Sequence, residues 1–130
     1  MVPTLAQGHE LAAFALTESG SGSDAGAMRT RAESSKLTGT KQWITNGSHA
    51  HSFLVFAKDP ERASAFVVRR GAEGFSVTRE EEKLGLNSSS TADLSFEDTP
   101  AELLGAKPAD DGALYADFES LKARIAKGDL

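Results

Sequence analysis

The sequence predicts an all-β domain: an antiparallel barrel-like or sandwich arrangement of about seven strands, followed by a C-terminal amphipathic helix. Two observations support this prediction. Short apolar or alternating runs recur at regular spacing, and turn residues such as Gly, Asn and Pro separate them. With 130 residues, the chain is long enough for one modest domain with a core. A small α+β domain is the main alternative.

Seven segments have the pattern of strands. Residues 11–16 form a short apolar run typical of a buried strand, and residues 91–96 alternate apolar with polar side chains as a half-buried strand does. Two further apolar runs flank a polar connection that begins at Asp59 and Pro60, which predicts a hairpin with both faces covered. The seven predicted strands cover residues 11–16, 28–35, 40–45, 52–57, 65–68, 75–77 and 91–96.

Turn residues set the limits of the second and third strands. In the second strand, Met28, Thr30 and Ala32 are expected to share one face, because side chains two apart point the same way. Residues 37–39 predict a turn before the third strand, and the Asn-Gly pair that begins at Asn46 predicts its end.

The C-terminal segment has a helical pattern. Leu114, Phe118, Leu121 and Ile125 are spaced by four, three and four residues, which is one apolar stripe of an amphipathic helix. A lone helix of this kind must bury its stripe against another surface. It either packs on the strands or begins a helical region.

Composition excludes several classes of function. The net charge is −5, and no basic stripe appears, which argues against a nucleic-acid or anionic-membrane partner. The chain has no cysteine, which excludes disulfides, thiolate metal sites and cysteine nucleophiles. No apolar run approaches membrane-spanning length, and no secretory signal is visible. We therefore expect a cytoplasmic protein with no membrane partner.

One loop has the composition of a ligand-binding segment. Residues 14–24 pass from an apolar strand end into small, hydroxylated and acidic residues. Thr17 and Ser23 offer hydroxyls there, while Gly20 and Gly22 let a ligand approach the backbone. Such a loop can hold a phosphate or a flavin ring. Composition alone favours an ordinary Gly/Ser turn.

No self-contained catalytic or metal site is recognisable. His49 and His51 lie two residues apart, but no third metal ligand has a suitable spacing, so we interpret them as polar loop residues. Trp43 is the only tryptophan, and a lone tryptophan is usually a core residue. On a strand beside Thr45, it can also form an aromatic wall for a flat cofactor.

The loop at residues 14–24 and the segment around Trp43, taken together, closely resemble the middle domain of the acyl-CoA dehydrogenases. The first resemblance covers FALTE at residues 14–18 and GSD at residues 22–24, and the second covers GTKQWITNG at residues 39–47. Further stretches resemble the family in the same order, at residues 74–77, 82–85, 89–91, 94–98 and 100–105.

The resemblance implies a domain organisation and a reaction. Residues 11–105 would be the middle β domain of an enzyme that uses FAD to oxidise acyl-CoA thioesters to their 2,3-enoyl forms. Residues 1–10 would be a linker from an N-terminal helical domain, and residues 106–130 the start of a C-terminal helical domain. The implied partners of the full-length enzyme are an acyl-CoA thioester, an electron-transfer flavoprotein and further copies in a homo-oligomer.

The resemblance also implies eight cofactor-contacting residues. The first three would contact the isoalloxazine ring, the next two the FAD pyrophosphate and the last three the flavin face; they are Phe14, Leu16, Thr17, Gly22, Ser23, Trp43, Ile44 and Thr45. Ser23 would also contact the acyl-CoA ligand, and Thr45 would lie near flavin N5.

The chain departs from the family pattern in several places. Ser19 stands where proline is usual, and Ser21 where a small apolar residue is usual. The connection at 59–62 is short, and about two residues of the family's usual stretch are missing between Asp98 and Pro100. No residue matches the glutamate that removes the α-proton, which the family takes from its C-terminal domain. We therefore expect the isolated chain to be inactive. The alternatives are a non-catalytic remnant that acts as a binding or interaction module, and a fragment of a related flavin oxidase or monooxygenase.

Overall fold

The computed structural model describes residues 2–60 and 62–104, which form one eight-stranded sheet with very little helix. A short helix, α1 (Val2–Ala6), precedes the sheet. The strands are β1 (Ala12–Ala15), β2 (Arg31–Glu33), β3 (Lys36–Thr45), β4 (Ser52–Asp59), β5 (Arg62–Arg69), β6 (Phe75–Glu80), β7 (Thr91–Pro100) and β8 (Glu102–Leu103). The all-β class is confirmed, with one strand more than the sequence predicts. The predicted helix around Leu114–Ile125 lies outside the described residues.

The predicted turn at residues 37–39 is wrong. The chain turns instead at Ser34 and Ser35, whose φ angles are 50° and 62°, and β3 runs from Lys36 straight through those residues. Two consecutive residues with positive φ form the tight turn that suits a two-residue hairpin. The predicted second strand is shorter than expected, although Met28, Thr30 and Ala32 are all buried, as their shared face requires.

The hydrogen bonding along one edge of β4 is interrupted, because two separate strands pair with that edge. The sheet runs β6-β7-β3-β2-β4-β5-β8, and β1 pairs with β4 as well. Both β1 and β2 lie parallel to β4: Phe14 pairs with Leu54 in the first half of β4, and Arg31 pairs with Lys58 near its end. The two short strands thus share one edge of β4. The segment between them, residues 16–30, leaves the sheet and carries the first predicted site segment.

The sheet curls around a single apolar core. Phe53 on β4 and Phe75 on β6 have ring centroids 4.6 Å apart, although three strands separate β4 from β6 in the sheet. Phe96 on β7 packs on the same Phe75 ring at 5.6 Å. Burying one such phenyl ring contributes about 1.5–3 kcal/mol. The aromatic cluster therefore holds distant strands of one sheet face to face.

Gly74 allows the turn before β6 to touch β7. Its φ is 72°, and its carbonyl accepts a hydrogen bond from the Glu97 N–H at 2.9 Å. A Cβ atom at this position would overlap the Glu97 carbonyl oxygen. Any side chain at residue 74 would therefore push the two strands apart.

We expect Gly74→Ala to lower the free energy of unfolding by about 2–5 kcal/mol, since it adds steric overlap to the cost of a left-handed alanine. Gly71→Ala is the matched control: its φ is 83°, but no atom lies within 4 Å of the added Cβ. It should cost only about 1–2 kcal/mol. Urea denaturation measures both, and equal losses would contradict the steric argument.

Candidate functional site

A buried ion pair lies where the chain leaves the sheet between β1 and β2. Lys41 on β3 is completely buried, and Glu18 in the segment after β1 is 6% exposed. The Lys41 Nζ and Glu18 Oε1 atoms are 2.8 Å apart. Burying two charges is costly unless both are paired and hydrogen-bonded, so the surroundings of this pair decide its role.

The pair satisfies backbone groups at the ends of the two short strands. Lys41 Nζ donates to the carbonyl oxygen of Leu16 at 3.0 Å. The Glu18 carboxylate accepts hydrogen bonds from the backbone N–H groups of Arg29 at 2.6 Å and Thr30 at 3.0 Å. The Thr30 hydroxyl donates to it as well, at 2.6 Å. Within the described part of the chain, no buried side-chain nitrogen or oxygen lacks a hydrogen-bond partner.

The environment lowers the pKa of both partners, for opposite reasons. Burial by itself raises the pKa of Glu18, but the hydrogen bonds from Lys41, Thr30 and the two backbone N–H groups outweigh it and lower that pKa. Burial also lowers the pKa of Lys41, and the Glu18 carboxylate only partly offsets this effect. Hydrogen bonding therefore dominates for the carboxylate, and desolvation dominates for the ammonium.

Gly39 lets β3 approach this network closely. Its φ is 149°, and a Cβ added there would lie 2.6 Å from the Thr30 hydroxyl and 2.7 Å from the Thr30 Cα. Thr30 is itself a hydrogen-bond donor to Glu18. The absence of a side chain at residue 39 therefore keeps Thr30 in place beside the carboxylate.

The network joins the two segments that the sequence predicts to form a site. The Gln42 N–H donates to the Thr17 carbonyl oxygen at 2.8 Å. Together with the two hydrogen bonds from Lys41 Nζ, this bond ties the end of the first segment to β3. Leu16 and Thr17 are half-buried at this junction. The structure thus brings together residues that lie far apart in the sequence.

Two large aromatic side chains are exposed in these segments. Phe14 on β1 is 58% exposed, and Trp43 on β3 is 59% exposed. Phe14 packs on one side against the Phe56 ring, with centroids 5.0 Å apart. The usual core position of a lone tryptophan is therefore wrong for Trp43. Each of the two segments that the sequence predicts to form a site therefore presents an aromatic ring to solvent.

The other predicted site residues lie in two different environments. Ile44 is 2% exposed and belongs to the core, so only its backbone can reach a ligand. Thr45 is exposed at the end of β3. Gly22 and Ser23 are exposed in the loop that follows Glu18.

A tight turn shapes that loop. Glu18 and Ser21 exchange two backbone hydrogen bonds, of 2.7 and 3.2 Å, across Ser19 and Gly20. Ser21 is buried, and its hydroxyl donates to the Asp24 carbonyl oxygen at 2.6 Å. The unusual serine at residue 21 therefore has a structural partner within its own loop, and Ser19 occupies an exposed turn position.

Sequence reasoning overlooked Lys41 and Glu18 as a pair. A signal for Lys41 was present, since it follows the buried Leu37 and the half-buried Gly39 at every second position along β3. A lysine in an inward position needs a carboxylate partner. Glu18 stands next to a predicted site residue, Thr17, and was the natural choice.

The remaining candidates form no second site. His51 Nδ1 accepts a hydrogen bond from the Leu11 N–H at 3.1 Å, which supports its interpretation as a polar loop residue. Within residues 2–60 and 62–104, no group of three or more potential metal ligands occurs, and no helix is long and apolar enough to cross a membrane. Two clefts of about 720 and 670 Å³ are lined by other residues than the eight predicted ones. Five of the eight are exposed, two are half-buried and Ile44 is buried.

Comparisons with known proteins show which family this chain belongs to. Residues 13–99 match the family model of the acyl-CoA dehydrogenase middle domain. A probable acyl-CoA dehydrogenase of Bacillus subtilis (strain 168) is 46% identical over 114 residues, which cover 80% of this chain and 19% of that protein. This chain spans less than a third of the length of the curated relatives it matches most strongly.

Solved structures give the same result. The acyl-CoA dehydrogenase of Bacillus anthracis complexed with FAD is 46% identical, with a TM-score of 0.73 over 80% of this chain and 20% of that one. A glutaryl-CoA dehydrogenase of Mycobacterium smegmatis in complex with FADH2 is 34% identical, with a TM-score of 0.74 over 93% of this chain and 32% of that one.

We expect Lys41→Met to lower the free energy of unfolding by about 3–5 kcal/mol, because it leaves the Glu18 carboxylate buried without its counter-charge. Adding Glu18→Gln should restore part of this loss. The control is Arg79→Gln, which breaks the exposed Arg79–Glu81 pair, 3.2 Å apart, and should cost less than about 1 kcal/mol. Urea denaturation decides, and a Lys41→Met loss as small as that of the control would refute a structural role for the pair.

The pH dependence of stability should report Glu18. Its pKa in the folded state lies below the ordinary value of 4.5, so its stabilising contribution is complete above the unfolded pKa and is lost as the pH falls through the folded pKa. Glu18→Gln should therefore flatten the loss of stability that the wild type shows as the pH falls below the ordinary glutamate pKa of 4.5. The exposed variant Glu33→Gln controls for net charge, and parallel curves for wild type and Glu18→Gln would contradict the expectation.

Proposed function

Because the chain belongs to the acyl-CoA dehydrogenase family, whose middle domain it carries, we propose that residues 11–105 form the flavin- and acyl-CoA-contacting wall of an FAD-dependent acyl-CoA dehydrogenase. Residues 1–10 are then a linker from an N-terminal helical domain, and residues 106–130 begin a C-terminal one. Electron-transfer flavoprotein as the electron acceptor and a homo-oligomeric assembly are part of the same proposal for the full-length enzyme.

The observation that carries the proposal is the junction of the two segments. Lys41 and Gln42 on β3 bind the end of the first segment through the carbonyl groups of Leu16 and Thr17. The same two segments carry exposed aromatic rings, at Phe14 and Trp43. A large flat ligand needs such a fixed aromatic surface with polar groups at its edge.

The polar groups present fit a flavin. Among the described residues, the hydroxyls of Thr17, Ser23 and Thr45 make no hydrogen bond to the protein, so all three are available to a ligand. Bound FAD would supply a two-electron acceptor for a hydride leaving the β-carbon of an acyl thioester. Thr17 and Thr45 would donate hydrogen bonds to its polar edge, and fixed donors of this kind stabilise the negative charge of a reduced flavin.

The remaining residues would orient the ligands. Trp43 would cover part of the flavin face and exclude water from it. Gly22 is exposed and has no side chain, so the loop backbone can approach the pyrophosphate closely. Ser23 lies next to it and would contact both the pyrophosphate and the acyl-CoA thioester. Removal of the α-proton needs a carboxylate, and no residue of this sequence matches the glutamate that the family uses, so we propose that the chain alone does not turn over.

Titration of the 130-residue chain with FAD tests the proposal, with the fluorescence of Trp43 as the readout, since it is the only tryptophan. We expect saturable quenching by FAD, and Thr17→Val should weaken FAD binding about 2- to 12-fold through the loss of one hydrogen bond. The control Thr38→Val removes an exposed hydroxyl that binds Asp98, at 3.2 Å, and should leave FAD affinity unchanged.

Three results would count against the proposal. Absence of saturable quenching would favour the non-catalytic binding module. Reduction of an artificial electron acceptor by acyl-CoA and FAD with this chain alone would refute its inactivity. Oxygen consumption by the full-length protein in place of acceptor reduction would favour a flavin oxidase or monooxygenase.

A further inference from the structure

Asp93 on β7 faces an irregularity in β3. Lys41 pairs with Leu94 and Ile44 pairs with Ala92, so two residues of β3, Gln42 and Trp43, stand opposite Asp93 alone. This is a β-bulge, which bends a strand and changes the direction in which its side chains point.

The same residue faces a second irregularity, in β6. Val77 pairs with Leu94 and Arg79 pairs with Asp93, so Thr78 has no partner in the ladder. The Thr78 hydroxyl donates to the Asp93 carbonyl oxygen at 3.3 Å. Asp93 therefore lies between bulges in both neighbouring strands, and β6 holds its backbone.

The bulge places Trp43 in an unfavourable backbone conformation. Its φ is 56°, which costs a bulky residue about 1–2 kcal/mol. Such strain persists only where the surrounding structure compensates for it. The bulge removes the backbone N–H of Trp43 from the ladder. This backbone N–H donates instead to the Asp93 carboxylate at 3.1 Å. A hydrogen bond to a charged acceptor contributes enough to offset this strain.

We propose that Asp93 is a positioning residue for Trp43: its carboxylate stabilises the bulge that turns the indole out of the core and toward a bound flavin. Neither the predicted site residues nor the Lys41–Glu18 pair performs this task. The hydrogen bond from Trp43 to Asp93 is present in the chain without a ligand. Its effect on the affinity for a flavin rests on the proposed function.

Without the Asp93 carboxylate, the backbone N–H of Trp43 loses its acceptor, and the strained backbone at Trp43 can relax. The indole then samples several orientations, and a flat ligand must order it on binding. Asn keeps an oxygen acceptor at the same position and should preserve the bulge. The two substitutions therefore separate the role of the acceptor from that of the side chain's bulk.

Asp93→Ala and Asp93→Asn are compared first in the FAD-free chain, by the near-UV circular dichroism and fluorescence anisotropy of Trp43. We expect Asp93→Ala to lose most of both signals and Asp93→Asn to retain them. Asp98→Ala is the matched control: Asp98 also lies on β7 and binds a β3 side chain, Thr38, at 3.2 Å. Asp93→Val, whose branched side chain favours a strand, replaces the alanine variant if that variant does not fold.

The second comparison is the quenching of Trp43 by FAD. Asp93→Ala should bind FAD about tenfold more weakly than wild type, and Asp93→Asn should restore the affinity. Unchanged tryptophan signals in the folded alanine or valine variant would overturn the proposal whether or not FAD binds. Loss of the signals in Asp93→Asn would overturn the role of the acceptor. If wild type shows no FAD binding while the FAD-free signals change as expected, the proposed function fails and the positioning of Trp43 by Asp93 is supported.

Discussion

The buried Glu18–Lys41 pair resolves a backbone problem that the topology creates. Because β1 and β2 share one edge of β4, the chain leaves the sheet between them, and the strand ends lose ladder partners there. Unpaired buried backbone groups are costly. The Glu18 carboxylate accepts hydrogen bonds from two of these backbone N–H groups, and the Lys41 ammonium donates one to a backbone carbonyl, at the junction of the two site segments. The exit loop, its tight turn and the approach of β3 all depend on this pair.

The site combines two features that do not favour stability by themselves. A buried ion pair is often no more stable than well-packed apolar residues, and a tryptophan with positive φ stores strain. Apolar replacements for Lys41 and Glu18 would fill the space, but they would leave the Leu16 carbonyl and the Thr30 N–H without these hydrogen-bond partners. The buried ion pair and the strained Trp43 lie on β3 and in the segment after β1, while the Phe53–Phe75–Phe96 cluster on β4, β6 and β7 follows ordinary packing. This division is typical of a stable scaffold that carries a functional surface.

The alternation of apolar and polar residues was sufficient to predict the all-β class and most of the strands. It failed where the local signal was ambiguous: the Thr-Gly step at residues 38 and 39 resembles a turn, yet the turn is made by two serines that any exposed loop could contain. The exposure of Trp43 depends on a bulge opposite Asp93, some fifty residues later, and no local pattern contains that information. The two site segments were connected through the family resemblance, whereas the atoms that connect them belong to Lys41 and Gln42.

The close contact between Gly39 and Thr30 has an evolutionary consequence. Thr30 donates to Glu18, Glu18 pairs with Lys41, and the space for Thr30 exists only because residue 39 has no side chain. A mutation of Gly39 would therefore weaken the Glu18–Lys41 ion pair, although glycine carries no charge. The loss of stability would depend on the residues at positions 18, 30 and 41. Because the four positions depend on one another, a single replacement at any of them is destabilising. We therefore expect related sequences to change them together, through paired or compensating replacements.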